Sequence, residues 1–202
     1  MAAVEQRRRS TRERRLETRA EVVAAALRLA ESSAFKDLTV EEIARAAGVS
    51  RPAFYIHFSG KEALLLAAVE QVAGALYDEA DRWWHGERNP QELVEAAVSG
   101  VVGVYAAHAS LMRIATEAST YDEEIREFWM DLVGRFIAAT AEHIAAEQTE
   151  GRIDRALDAT TTAEGLVWMA ERCCYIYLAR GDRDGVVLTA SLTAVWTTAL
   201  YG

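Results

Sequence analysis

Leu38-Thr39-Val40-Glu41-Glu42-Ile43-Ala44-Arg45-Ala46-Ala47-Gly48-Val49-Ser50-Arg51-Pro52-Ala53-Phe54-Tyr55-Ile56-His57-Phe58-Ser59-Gly60-Lys61-Glu62 holds three helix starts within 25 residues. Thr39 can accept from the amide of Glu42 while the Glu42 side chain reaches back to the amide of Thr39, a reciprocal cap that opens a helix. Ile43, Ala44 and Ala47 form that helix's buried stripe, and Gly48 supplies the permissive backbone at its end. Ser50 caps the next helix, with Pro52 in its first turn, where a missing amide proton costs little. Only Gly48 and Val49 separate the stop from the next start, so the pair is a helix-turn-helix. Phe54 and Phe58, four apart, anchor its second helix inward and leave Pro52, Ala53, Tyr55 and Ile56 toward solvent. Ser59 to Glu62 reads as another capping box, opening a long helix that reaches about Trp84.

Upstream, Val22, Val23, Ala26, Leu27 and Ala30 line one face of a helix predicted from about Arg12 to Ser32. From Arg7 to Arg19 seven arginines (Arg7, Arg8, Arg9, Arg12, Arg14, Arg15 and Arg19) stand against Glu13 and Glu17, a composition suited to phosphate or equally to a solvated tail. The chain carries a net charge of −9, yet residues 1–62 hold twelve Lys or Arg against nine Asp or Glu, and the remainder ten against twenty-two. The two ends therefore suit different partners.

Downstream, Asn89 and Pro90 open a fifth helix running to about His108, and a short sixth spans Ser110 to Ala118. Ile125, Phe128, Trp129, Leu132, Val133, Phe136, Ile137, Thr140 and Ile144 keep helical spacing over five turns in the seventh. The last two helices, Asp158 to Ala179 and Asp184 to Tyr201, are apolar nearly all round. Such helices must be covered on two sides, which predicts a homodimer through them. With two prolines in 202 residues and no convincing strand, the fold class is all-α, about nine helices in total.

The longest apolar runs fall well short of the roughly 20 residues that cross a bilayer. No membrane partner is expected, and an Arg-rich start without an apolar stretch points to the cytoplasm. The neighbours Cys173 and Cys174 suit neither a disulfide framework nor a metal site. His57, His85, His108 and His143 are scattered, and no catalytic or phosphate-loop motif occurs, so no enzyme, cofactor or metal is expected. Glu171, isolated in an apolar helix, is assigned to pairing with Arg172 or with another arginine across the interface.

The stretch from Leu38 to Glu62 resembles the DNA-binding signature of TetR-family regulators. The resemblance implies that residues 1–62 form an arginine-rich arm and a three-helix DNA-binding domain, and that residues 63–202 form a helical ligand-binding and dimerisation domain. It implies a double-stranded, palindromic operator as partner. Arg51 would read guanine through its planar fork, Pro52, Ala53 and Tyr55 would touch thymine methyls or sugars, and Thr39, His57 and Lys61 would hold phosphates. Glu41 is acidic where some relatives are basic, and Ile56 aliphatic where others are aromatic.

Residues 108–129, Phe136 to Thr140, Met169 with Glu171 and Arg172, and the ending Val195 to Gly202 resemble the EthR-type branch of that family. That likeness implies an apolar channel for a small hydrophobic or aromatic effector, lined by Tyr105, Trp129, Phe136, Thr140 and Trp196, with Val94, Val101 and Met169 nearby. Val167 and Ala170 replace asparagines, which predicts a less polar pocket. A repressor released by its ligand is the leading expectation. An activator or ligand-independent regulator, and a helical small-molecule binding protein without DNA function, are the alternatives.

Overall fold

A computed structural model describes residues 2–86, 89–181 and 184–202, with side chains from Glu13 onward. The side chains of Arg7, Arg8, Arg9 and Arg12 thus lie outside the described residues. Among those residues the protein has nine α-helices and no strand. The chain divides into two compact units, Met1–Ala68 and Val69–Gly202.

In the first unit, α1 (Ala2–Leu29) packs against α2 (Val40–Ala46) and α3 (Arg51–His57), with a 3-10 turn at Phe35–Asp37. Val22, Ala25 and Ala26 of α1 are buried with Ile43, Ala44, Phe54 and Phe58. Each such large side chain contributes about 1.5–3 kcal/mol when fully buried. The Thr39 cap is reciprocal: its hydroxyl accepts from Glu42 N at 3.2 Å, and Glu42 Oε2 accepts from Thr39 N at 2.8 Å.

After α2, Gly48 N donates to Arg45 O and Val49 N to Ala44 O, which closes the helix with Gly48 at φ +69°. That left-handed backbone is strained for any residue with a Cβ, so Gly48 sets the sharp turn between the two helices. Ser50 Oγ then accepts from Ala53 N at 3.2 Å and starts α3. The next helix, α4 (Lys61–Trp84), begins one residue after Gly60, slightly later than a Ser59 cap would set.

The second unit contains the later turns of α4, then α5 (Pro90–Ala107), α6 (Ala109–Ala118), α7 (Glu123–Thr149), α8 (Ala159–Cys174) and α9 (Gly185–Tyr201). Side-chain caps at Asn89, Asp122, Asp158 and Asp184 open α5, α7, α8 and α9. The chain bends by 82° between α5 and α6, at His108. Where one continuous helix to Ala179 is predicted, α8 widens after Cys174 into a π-helical turn, Tyr175–Ala179, and Arg180 N donates to Tyr175 O at 3.0 Å. The core gathers Trp83, Val94, Ile144, Leu166 and Trp196. No single helix among the described residues is long and apolar enough to cross a membrane.

Candidate functional sites

α3 has one locked and one open face. Phe54 is 0% exposed and stacks at 5.7 Å on Phe58, while Tyr55 and Ile56 are 46% and 67% exposed. Arg51 and Pro52 are exposed beside them and Ala53 is half-buried, so the structure brings the sequence-predicted readers onto one short helix. The Arg51 guanidinium lies 5.8 Å from the centre of the Tyr55 ring. Glu41 is paired with Arg45 at 3.0 Å, which offsets its charge on the neighbouring helix.

Arg15 and Arg19 behave as parts of the scaffold. Arg19 Nη1 donates to His57 O at 2.7 Å and its guanidinium lies 4.3 Å over Phe58. Arg15 Nη2 reaches Ile56 O at 3.5 Å. Cations placed on the last carbonyls of α3 suit the negative end of the helix. Burial, and then these two arginines, hold the His57 ring below its usual range, so it is neutral at pH 7. A neutral imidazole can bond a phosphate only as a single N–H donor.

Lys61 is engaged in an unforeseen way. Its Nζ donates to Phe35 O at 3.0 Å, Lys36 O at 2.6 Å and Leu38 O at 2.7 Å, and it sits 5.4 Å from the Phe35 ring centre. An ammonium has three N–H donors, and all three meet main-chain carbonyls here. Thr39 is exposed at the start of α2, its hydroxyl also donating to Glu42 Oε2 at 2.7 Å.

The second unit contains a partly open cavity of about 130 Å³. Of the residues anticipated for a channel, Val94, Val101, Tyr105, Trp129, Phe136, Thr140 and Trp196 line it, and Met169 does not. The reason is helical phase. α8 presents Val167, Ala170, Glu171 and Cys174, at three-to-four spacing, and Met169 falls off that stripe onto the apolar core beside it. The α4 residues Leu76, Ala80, Trp83 and Trp84 also line the cavity and went unread, although their i, i+4, i+7, i+8 spacing is visible in the sequence.

Aromatic contacts fix the walls. Tyr77 stacks on Phe136 at 4.1 Å and meets Trp84 at 5.6 Å, while Trp83 meets Trp196 at 5.6 Å. Trp83 is held from behind by polar groups: its Nε1 donates to Tyr201 O–H at 3.1 Å, and that hydroxyl donates to buried Glu147 at 3.2 Å. Burial alone would raise the Glu147 carboxyl, but bonds from Arg152 and Tyr201 and the nearby His143 outweigh it and bring it below the usual range. Trp84 Nε1, Trp196 Nε1 and both Glu171 carboxylate oxygens are buried without a hydrogen-bond partner. Arg172, the expected partner, brings Nε only to 3.6 Å of Glu171 Oε2. No cluster of metal ligands occurs among the described residues.

On α9, Leu188, Leu192, Trp196 and Leu200 are buried at every fourth position, whereas Val186, Val187 and Val195 are 73%, 68% and 46% exposed. Ile176, after α8, is 49% exposed.

The family model described as "Bacterial regulatory proteins, tetR family" matches residues 22–68, and "Transcriptional regulator EthR, C-terminal domain" matches residues 94–202. The HTH-type transcriptional regulator EthR of Mycolicibacterium smegmatis is 33% identical over 201 residues, covering 96% of this chain and 91% of that protein. The regulator of the same name from Mycobacterium tuberculosis is 29% identical over 188 residues, covering 90% of this chain and 86% of its own. Among solved structures, the transcriptional regulator FadR from Bacillus subtilis in complex with stearoyl-CoA aligns with TM-score 0.76 at 16% identity, covering 90% of this chain and 98% of that one. At that identity the likeness concerns the fold.

Proposed function

This chain belongs to the TetR family of bacterial regulators, with an EthR-type C-terminal domain, and from that premise we propose that it is a repressor that binds a palindromic operator as a homodimer and leaves it when a small hydrophobic molecule fills the cavity. It is a transcriptional regulator and not an enzyme. The observation that carries the proposal is the open face of α3, where Arg51, Pro52, Tyr55 and Ile56 project from a helix locked by Phe54 and Phe58.

In this reading α3 lies in the major groove and Arg51 takes guanine O6 and N7 together. Pro52, Ala53 and Tyr55 supply apolar contact to methyls and sugars. The neutral His57 donates to a phosphate and sets register, Thr39, whose N–H and O–H both go to Glu42, acts through the cap that starts α2, and Lys61 holds the start of α4 on the carbonyls before α2. The exposed valines of α9, with Ile176, meet a second copy, so that each protomer reads one half-site. The ligand occupies the cavity between α4, α5, α7, α8 and α9 and favours one of two positions of α4, which runs unbroken from Lys61 to Trp84.

The test is binding to DNA upstream of the protein's own gene, paired with a promoter fusion in a deletion strain. Wild type should shift the fragment in a salt-sensitive way, and deletion should derepress the fusion. Arg51→Ala should lower operator affinity about 5- to 100-fold while leaving random-sequence binding close to wild type. Equal operator binding by wild type and Arg51→Ala would remove Arg51 from base readout, and loss of expression on deletion would identify an activator.

A further inference from the structure

We infer that the cavity selects a hydrophobic amine, whose ammonium lies against Glu171 and whose apolar body lies among the aromatic walls. This rests on the reading of the cavity as the ligand site and names the chemistry of what it takes. The Glu171 side chain is 8% exposed, and neither of its carboxylate oxygens has a hydrogen-bond partner. It lines the cavity in company with Tyr105, Cys174, Trp129 and Phe136. Among the described lining residues it is the sole carboxylate, and none carries a positive charge.

A buried carboxylate without bonds is costly, and a structure that keeps one must neutralise it or supply a partner. Arg172 does not serve fully: its side chain is half exposed, its Nε stops at 3.6 Å, and its guanidinium lies 5.2 Å from the Tyr175 ring centre. A ligand ammonium answers the need best. It brings opposite charge and up to three N–H donors to oxygens that have none, and aromatic faces favour cations as well as apolar chains. A neutral alcohol offers one O–H, and a carboxylate ligand sets like charge beside Glu171. Burial pushes the Glu171 carboxyl upward, with Arg172 opposing, so its charge is disfavoured by its surroundings and a cation beside it would favour it.

The probes are hexylamine, hexanol and hexanoate, titrated into the full-length protein and Glu171→Gln, with tryptophan fluorescence as the readout. Wild type should bind hexylamine at least about tenfold more tightly than hexanol, and hexanoate most weakly. Glu171→Gln should lose that preference while binding hexanol as before, which also shows that the variant's cavity is intact. Hexanoate binding as well as hexylamine, or an amine preference that survives Glu171→Gln, would overturn the inference. Hexanol binding without amine preference would overturn it while leaving the cavity a ligand site. No binding of any probe by wild type would overturn both.

Discussion

Replacing Lys61 by Met keeps an apolar stem and removes the ammonium that joins Phe35 O, Lys36 O and Leu38 O. A hydrogen bond from a charged donor stabilises by about 1.5–3 kcal/mol. Two of the three carbonyls are part-buried and the third is exposed, so water recovers part of the loss. The net destabilisation of the first unit should be about 2–4 kcal/mol, enough to lower its melting point by roughly 10–20 °C. All five tryptophans lie at or beyond Trp83, so tryptophan fluorescence reports the second unit and far-UV circular dichroism must follow the first. DNA binding as a function of salt separates a clamp from a phosphate contact. A lysine on a phosphate contributes about 0.9 to the slope of log affinity against log salt, whereas a clamp contributes nothing to it. The expected result for Lys61→Met is early melting of the first unit with an unchanged salt slope. A slope reduced by about one per protomer, with unchanged melting, would refute the clamp and restore Lys61 as a phosphate anchor.

If the proposed dimer forms through the exposed face of α9, charge there should break it: Val187→Asp, at a site 68% exposed in the single chain, should sediment as a monomer and lose operator binding, while melting of the second unit changes little. A variant that remained dimeric would move the interface elsewhere. His143 gives a pH signature. Burial chiefly depresses its ring below the ordinary 6.5, with Glu147 and the Trp84 carbonyl opposing. The unfolded chain therefore binds the proton more readily, and stability present at pH 7 is lost as pH falls through about 6.5 toward the folded value. His143→Asn should flatten the change in fluorescence-detected melting between about pH 7.5 and about pH 5.5. An unchanged pH profile in that variant would exclude His143 as its source.

The helix-turn-helix was legible because its signals are local. The Thr39–Glu42 reciprocity, the Gly48 turn and the Ser50 cap each act within a few residues, and all three appear where the spacing puts them. The seven anticipated residues that line the cavity were implied by the resemblance to the EthR-type branch, not by periodicity, which does not tell a lining stripe from a packed one. What escaped depends on distance in sequence. Lys61 reaches back 23 to 26 residues to its carbonyls, and no periodicity reports that. Met169 resembles Val167 and Ala170 in a helix apolar nearly all round, so its exclusion could not be read without knowing which side meets the cavity. Glu171 does meet its charged neighbour Arg172, but only as an ion pair at 3.6 Å without a hydrogen bond, because successive helical residues point about 100° apart.

The most direct measurement of the central claim is fluorescence anisotropy of a labelled duplex from the protein's own upstream region, titrated at two salt concentrations and then with hexylamine. The expected result is two protomers per site, affinity that falls steeply with salt, and release of the duplex as hexylamine fills the cavity, with release much weakened in Glu171→Gln. Binding that ignores salt, or a wild-type complex that stays intact while tryptophan fluorescence shows the cavity occupied, would contradict a ligand-released repressor.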